Sequence, residues 1–506
     1  MDGYFTQHGE GTNGGKRPTG VAANHRFDES NSRHYPHMIL DAFSAFSENF
    51  AYAVRWLSLD QTNYLQSPIS LVRALISSTL PRGLRESSKQ LKRAHDTSYL
   101  DALRGWAAVI VWISHTFPYK NTWIFQLPFT KALVHGRSMT MVFFVISGYA
   151  LSYRMLKLMR KHQAQGLLDA FVSSIFRRQI RLFGSTGIAT FVAMLLVWFG
   201  FDIPTLREEP LLQQTFLLQL KDWFLDFARL SNPLNQHIDG YFHPLELQSF
   251  YLGVTWTIPI ELRGSILLFI FCIGTCKLSN RNRMALCWMF IICSYLYQVA
   301  YVSMFLGGLF IADLAFSQHP ERLNQPSRLG VEHGITIDRG GDIPQCRRIQ
   351  VFYAVVLAIA IFLLGQPAGD LSLHYWPWPI LDGLIPPIFD GPRTRELWYM
   401  SVGSFLLVWA LDASPLLQAP LKWNFSKYLG ELSFGIYITH HIVLWTIHKC
   451  VLVPLQISLL GTSFWSFAPV VPIHFMFLLW VAELFTRVDQ KVITFAKWCE
   501  TRFFVW

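Results

Sequence analysis

The sequence predicts an all-α membrane protein, a polytopic bundle of about ten transmembrane helices. Of its 506 residues, 52% are hydrophobic and only 15% are charged, and the mean hydropathy is +0.28. Because soluble domains carry about 25% charged residues, this composition indicates a chain built for lipid. The 18 Trp and 41 Phe residues agree, since aromatic side chains are frequent at membrane interfaces.

Ten apolar runs are candidate spans. Several are shorter than the roughly 20 residues that a straight span needs, so the count is approximate. They lie near residues 101–118, 139–156, 185–201, 254–275, 284–299, 301–316, 350–365, 397–411, 432–453 and 468–486.

Lysine and arginine predict the orientation of the bundle. If the N-terminus is cytoplasmic, the segments on that side contain 26 Lys and Arg residues and those on the other side contain 8. Positive charge favours the cytoplasmic side, so both termini are expected there, in the plasma membrane or an endomembrane. The net charge of +10 is therefore attributed to topology, and no nucleic-acid partner is expected.

Four regions follow from this pattern: a disordered polar tail (1–37), an amphipathic peripheral region (38–95), a membrane domain (96–490) and a short cytoplasmic tail (491–506). Apolar residues from Phe43 to Leu57 recur three or four positions apart between charged residues, which favours a surface helix over a span. No cleaved signal peptide is expected, and the seven cysteines predict neither a disulfide framework nor a metal site.

The first span, "SYLDALRGWAAVIVWISHTFPYK", contains both Arg104 and His115. At about 100° per residue, eleven positions make three turns plus about 20°, so both side chains share one face about 16 Å apart. Ala108 and Val111 lie between them on this face, and their small size predicts room for an approaching molecule. The alternative is that Arg104 reaches the inner headgroups and His115 lies in the outer interface.

Other spans also carry polar groups. "TWTIPIELRGS" contains Glu261 beside Pro259, which is expected to loosen the helix, and "YLGELSFGIYITHH" contains Tyr437, His440 and His441. Several ionisable residues within spans together indicate a polar cavity in the bundle.

An arginine group and two glycine motifs complete the set. "FRRQIRLFG" places Arg177, Arg178 and Arg181 at the inner end of the third span, either to enforce topology or to bind phosphate. Gly148 and the pair Gly307 and Gly308 predict close helix packing.

Taken in order, these motifs resemble the acyltransferase-3 family of integral membrane O-acyltransferases. The matching stretches are "LDALRGWAAVIVWISH", "FFVISGYALSYR", "RRQIRLFG", "TWTIPIEL", "FLGGLF", "YLGELSFGIYITHH" and "AELF", over residues 98–490. The resemblance implies transfer of an acyl group, commonly acetyl, from acyl-CoA to a hydroxyl of a sugar, a glycan or a small lipophilic molecule. Acyl-CoA is then a donor substrate, and no permanently bound cofactor or metal is expected.

The resemblance also implies roles for individual residues. These are catalytic His115, Arg104 and Glu261; CoA-binding Arg104, Arg177, Arg178 and Arg181; and substrate-binding Tyr437 and His440. The chain departs from the family pattern at Ala102, Gly184, Gly264, Ser265 and Glu431, which favours an altered acceptor pocket.

The mechanism remains open at this level. His115 either removes the proton of the acceptor hydroxyl or carries the acyl group itself, and Glu261 is expected to orient its imidazole. A transporter or flippase would also use intramembrane His, Glu and Arg, but the chain shows no internal repeat. A catalytically silent scaffold is the third alternative.

Overall fold

The computed structural model describes residues 97–120, 122–205, 207, 209–233, 247–324, 346–367, 374–389 and 392–504. Within these ranges every regular element is helical and no strand occurs. The predicted tail 1–37 and the peripheral region 38–95 lie outside the described residues. The predicted tail 491–506 is for the most part helical, because the last long helix runs to Phe503.

Eleven longer helices form the described part of the molecule. They are α1 (Ser98–Thr116), α2 (Gly136–Arg160), α3 (Ala164–Trp198), α4 (Phe216–Leu230), α5 (Thr257–Gly274), α6 (Asn280–Leu296), α7 (Ala300–Gln318), α8 (Arg347–Leu364), α9 (Pro392–Ala413), α10 (Asn424–Leu460) and α11 (Val470–Phe503).

Seven helical segments are long and apolar enough to cross a membrane. They are α2, α3, α7, α8, α10, and the segments Gly253–Gly274 and Phe464–Phe503, which contain α5 and α11. The predicted spans near 101–118, 284–299 and 397–411 coincide with α1, α6 and α9, which are outside this set. The helical membrane fold is confirmed, whereas the count of ten spans and the orientation of the termini stay predictions.

The outward faces of the helices are apolar. On α8, Val351, Phe352, Val355 and Ile359 are all exposed. Monomeric soluble proteins rarely expose apolar patches this continuous, so these side chains fit a lipid surround.

Close glycine packing joins α1 to α10. A Cβ atom on Gly105 would lie 2.4 Å from the carbonyl carbon of Leu429, and one on Gly430 would lie 2.7 Å from that of Asp101. The two backbones therefore touch. Because α1 meets α10 again where His115 approaches His440 further along both helices, the two helices run in the same direction.

The predicted close packing at Gly148 and Gly308 is confirmed. A Cβ on Gly148 of α2 would lie 2.0 Å from the carbonyl oxygen of Phe305 on α7, and one on Gly308 would lie 2.1 Å from that of Val145. Only glycine lets these two helices approach so closely.

One expectation about helix shape was wrong, and one helix is longer than its apolar run. Pro259 lies in the first turn of α5, where a missing N–H breaks no intrahelical bond, so it does not loosen the helix. The apolar run near 185–201 is only the second half of α3, which begins at Ala164. The three arginines therefore lie within this long helix and not before it.

Candidate active site

Three histidines from two helices meet at the C-terminal end of α1. The ring centroid of His115 lies 5.3 Å from that of His440 and 4.5 Å from that of His441, and the last two are 4.7 Å apart. His115 is exposed, whereas His440 is fully buried. We call these three residues the histidine cluster. It unites the predicted catalytic His115 with the predicted substrate-binding His440.

The histidine cluster has unused hydrogen-bonding capacity. His440 Nδ1 lies 2.7 Å from the carbonyl oxygen of Tyr437, and a carbonyl only accepts, so this nitrogen carries the proton. The Nε2 atoms of His440 and His441 are buried and have no hydrogen-bond partner among the described residues. Because such buried atoms cost about 1–3 kcal/mol each, their presence indicates a place where a ligand binds.

Tyr437 links α10 to the segment before α5. Its hydroxyl donates to the Val254 carbonyl at 2.9 Å and lies 2.8 Å from Thr257 Oγ1, which therefore donates to it. This hydroxyl has two partners inside the protein. The contact holds α5 against α10 beside His440, and the substrate-binding role of Tyr437 stays a prediction.

A second pair of histidines lies further along α10, where the helix widens into π-type turns over Leu444–Leu452. The rings of His448 and His474 stack with centroids 4.6 Å apart, and Trp112 Nε1 donates to His474 Nε2 at 3.4 Å. Single π turns are frequent at functional sites. This pair was not predicted from the sequence.

Lys120 brings a positive charge to the same end of α1. Its ammonium donates a hydrogen bond to the carbonyl of Ser114 and lies close enough to act electrostatically on His115. Burial lowers the pKa of Lys120 from its ordinary value.

Three arginines gather near the N-terminal end of α1. Arg178 Nη2 forms an ion pair with Glu261 Oε1 at 2.5 Å, and Arg178 Nε donates to Ser265 Oγ at 2.9 Å. Arg104 lies close enough to act electrostatically on both Arg178 and Arg181. We call Arg104, Arg178 and Arg181 the arginine cluster. Ser265, one of the departures from the family pattern, is thus a direct partner of the cluster.

The arginine cluster has an excess of positive charge. Among the described residues, the carboxylates that act on Arg178 and Arg181 are Glu261 and Asp489, and Asp489 also accepts a hydrogen bond from Ser185 at 2.7 Å. Arg104 Nε is buried without a hydrogen-bond partner, and Arg181 is exposed. A group with spare donors and spare positive charge suits an anion such as a phosphate.

Arg177 does not join this group. Its Nε pairs with Glu500 Oε2 at 3.0 Å, whereas Arg178, about 100° further around α3, pairs with Glu261. The two neighbouring arginines therefore face different surroundings.

Glu261 is not placed as an orienting partner of His115. It lies in the second turn of α5, and its carboxylate is taken up by Arg178 in the arginine cluster. The reason is the packing of α5 on α3, which sequence spacing does not reveal.

The expectation of an open face between Arg104 and His115 was also wrong. Ala108 is fully buried and Val111 is 3% exposed, because α1 packs tightly against its neighbours there. The two clusters therefore lie at separate ends of one helix, without open space along these two residues.

Two residues of the site received no role in the sequence analysis. His441 was named among the polar groups within the spans, but the family motif ends at His440, so no site role was assigned to His441. Asp489 lies in α11 four residues after the AELF motif, and nothing in the sequence indicated a contact with α3.

Together the fold and these clusters define a helical membrane protein with histidines at one end of a buried helix and arginines at the other. The chain belongs to the acyltransferase-3 family, since the Acyltransferase domain (Acyl_transf_3) matches residues 97–487. It is therefore an acyltransferase enzyme, as the motifs predicted, and the transporter and scaffold alternatives are not retained.

Curated relatives agree with this assignment. The O-acetyltransferase PaAT-1 of Phomopsis amygdali is 26% identical over 387 residues, which cover 70% of this chain and 73% of the relative. Acyltransferase R4 of Phoma sp. (strain ATCC 20986 / MF5453) and acyltransferase clz18 of Cochliobolus lunatus are each 23% identical, over 68% of this chain and 82% of the relative. No solved structure matches the chain.

Proposed function

We propose that this enzyme transfers an acetyl group from acetyl-CoA to a hydroxyl of a sugar, a glycan or a small lipophilic acceptor. The observation that carries the proposal is the placement of the arginine and histidine clusters at opposite ends of α1, about 16 Å apart along the helix. The printed name of PaAT-1, an O-acetyltransferase, supports acetyl as the transferred group.

In this proposal the arginine cluster binds the donor. Arg104, Arg178 and Arg181 have spare charge for the phosphates of CoA, and the pantetheine arm is long enough to reach the histidine cluster by a route other than the covered face at Ala108 and Val111. Arg177, already paired with Glu500, contributes less. With the termini cytoplasmic, this end would face the compartment that holds acetyl-CoA.

The histidine cluster is the proposed reaction site. As a general base, His115 removes the proton of the acceptor hydroxyl while its oxygen attacks the thioester carbonyl carbon. The C–S bond breaks, and the proton passes to the departing CoA thiolate. His440 lies beside His115, so its free Nε2 is available to the acceptor.

Alternatively, His115 is itself the nucleophile. Its ring nitrogen then attacks the thioester carbonyl carbon, the C–S bond breaks, and the CoA thiolate leaves and takes up a proton. In a second step the acceptor oxygen attacks the acetyl group, the bond to the imidazole breaks, and the hydroxyl proton passes to the imidazole. Mass spectrometry of a reaction that is quenched in the absence of acceptor separates the two mechanisms. Only the second mechanism leaves an acetyl group on the peptide that contains His115.

The test is free thiol release from acetyl-CoA by the purified protein, with and without hydroxyl acceptors. We expect His115→Ala to lower the rate at least about 100-fold with CoA binding retained, because general base catalysis contributes about 10²–10⁴-fold. His319→Ala is the matched control, since this histidine has a side chain that is 42% exposed and pairs with Glu321 outside the cluster. Retention of more than about a tenth of the rate in His115→Ala would remove this residue from the chemistry.

A further inference from the structure

We propose that the histidine cluster binds one divalent transition-metal ion, with Zn²⁺ as the first ion to test. Three imidazoles with no carboxylate among them form a ligand set that suits zinc. The sequence indicated no such site, because His115 and His440 are 325 residues apart and share no metal-ligand spacing.

The distances fit an ion with small side-chain adjustments. One ring nitrogen from each of His115, His440 and His441 lies within 4.8 Å of the other two. Zinc binds imidazole nitrogen at about 2.0–2.1 Å, so three tetrahedral ligands stand about 3.4 Å apart. Closing the remaining gap of at most about 1.4 Å needs only rotation of the rings.

The protonation of His440 leaves its Nε2 atom free to bind an ion. Its Nδ1–H donates to the Tyr437 carbonyl, so Nε2 carries a lone pair. A hydrogen bond of this kind from the second ring nitrogen to a carbonyl is the usual support for a metal-binding histidine. An ion would also satisfy the buried Nε2 atoms of His440 and His441, which otherwise have no partner.

The arrangement leaves a fourth position open. His440 is fully buried and His441 is partly buried, whereas His115 is exposed, so access to the ion is from the His115 side. Three histidines with an open position are typical of catalytic zinc sites, in which water or substrate oxygen completes the coordination.

This placement deepens the proposed function and, for the role of the ion, rests on it. The acceptor hydroxyl would bind the ion and lose its proton to water, and its oxygen would attack the thioester carbonyl carbon. The C–S bond breaks, and the CoA thiolate takes up a proton. His115 then holds the ion instead of removing the proton.

Metal content tests the site directly. The full chain, purified in detergent and exposed to Zn²⁺, is expected to retain about one ion per chain by mass spectrometry. His441→Ala should weaken Zn²⁺ binding at least about tenfold, a loss that even outer partners of metal ligands can cause. His319→Ala should retain the ion, since His319 lies outside the cluster.

Substitution of His441 by cysteine distinguishes the loss of a metal ligand from misfolding of the protein. His441→Cys should bind Co²⁺ and show a sulfur-to-cobalt charge-transfer band that the wild-type protein lacks, because cysteine is also a good ligand for such ions. Wild-type protein that retains no more ion than His441→Ala, with no such band in His441→Cys, would overturn the proposal.

Activity separates this inference from the proposed function. Thiol release that disappears on chelation and returns with Zn²⁺ supports both. Full thiol release by metal-free protein overturns the metal site and leaves the acetyltransferase function standing. A bound ion without thiol release for any acceptor would refute the proposed function, while the metal-binding site would remain.

Discussion

The arginine cluster and a second buried group of arginines contain similar residues but differ in how completely the protein satisfies their hydrogen bonds. In the second group, Asp313 is fully buried and accepts from Arg160 Nη2 at 2.6 Å and from Arg283 Nη2 at 2.7 Å. We call these three residues the Asp313 cluster. Arg283 also bonds Asn280, and Arg160 also bonds Ser317, so both guanidinium groups have several protein partners.

The arginine cluster is less completely paired. Arg178 has Glu261 and Ser265 as partners, but Arg104 Nε has none and Arg181 is exposed. The Asp313 cluster therefore holds α2, α6 and α7 together, whereas the arginine cluster has hydrogen-bond donors that are available to a ligand. Buried charge alone does not mark a binding site; unused hydrogen-bonding capacity does.

The largest expected effect is the loss of Asp313. Asp313→Ala leaves two buried guanidinium groups without their carboxylate, which should lower the free energy of unfolding by about 3–5 kcal/mol. Thermal unfolding in detergent measures this change. Asp202→Ala, at an exposed carboxylate, should unfold like the wild-type protein. An Asp313→Ala protein of normal stability that fails to bind acetyl-CoA would make this cluster part of the donor site.

A substitution in the arginine cluster should affect the binding of acetyl-CoA more than the stability of the fold. Arg178→Gln removes a charge-assisted hydrogen-bonding group worth about 1.5–3 kcal/mol, so the KM for acetyl-CoA should rise about 10-fold to 150-fold. Arg177→Gln is the matched control, because Arg177 is the neighbour of Arg178 in sequence but pairs with Glu500 outside the cluster. Equal effects of the two substitutions on KM would contradict the assignment of the donor site to Arg178.

The smallest effect is expected at Glu261. Glu261→Gln preserves the shape of the side chain but removes one of the two carboxylates that face the cluster, so more positive charge is left for the donor. The KM for acetyl-CoA should fall a few-fold. The reason is that the added attraction between a partly screened charge and the donor contributes about 1 kcal/mol or less. A rise in KM as large as that of Arg178→Gln would instead show that Glu261 mainly positions Arg178.

Local signals in the sequence predicted much of this molecule. Apolar runs located the helices, because a membrane span must satisfy its own backbone hydrogen bonds and its side chains that face lipid are apolar. The glycines at 148 and 308 predicted close contacts, which the structure confirms. The ordered motifs predicted the acyltransferase-3 family, which the match over residues 97–487 confirms.

Contacts between distant helices were not predictable in the same way. The spacing of Arg104 and His115 placed both on one face, but it could not show that Ala108 and Val111 are covered by neighbouring helices. Likewise, the position of Glu261 in its span carried no information about whether Arg178 or His115 would be its partner.

The sequence by itself determined the class of fold, the family and the residue types available for chemistry, since these depend on composition, local periodicity and short motifs. Only the tertiary structure decided which of those residues meet. His441 joins His115 because Gly105 and Gly430 let α1 and α10 touch, and Arg178 pairs with Glu261 because α3 packs against α5. Such contacts depend on how helices that are far apart in sequence pack together, which a single sequence does not specify.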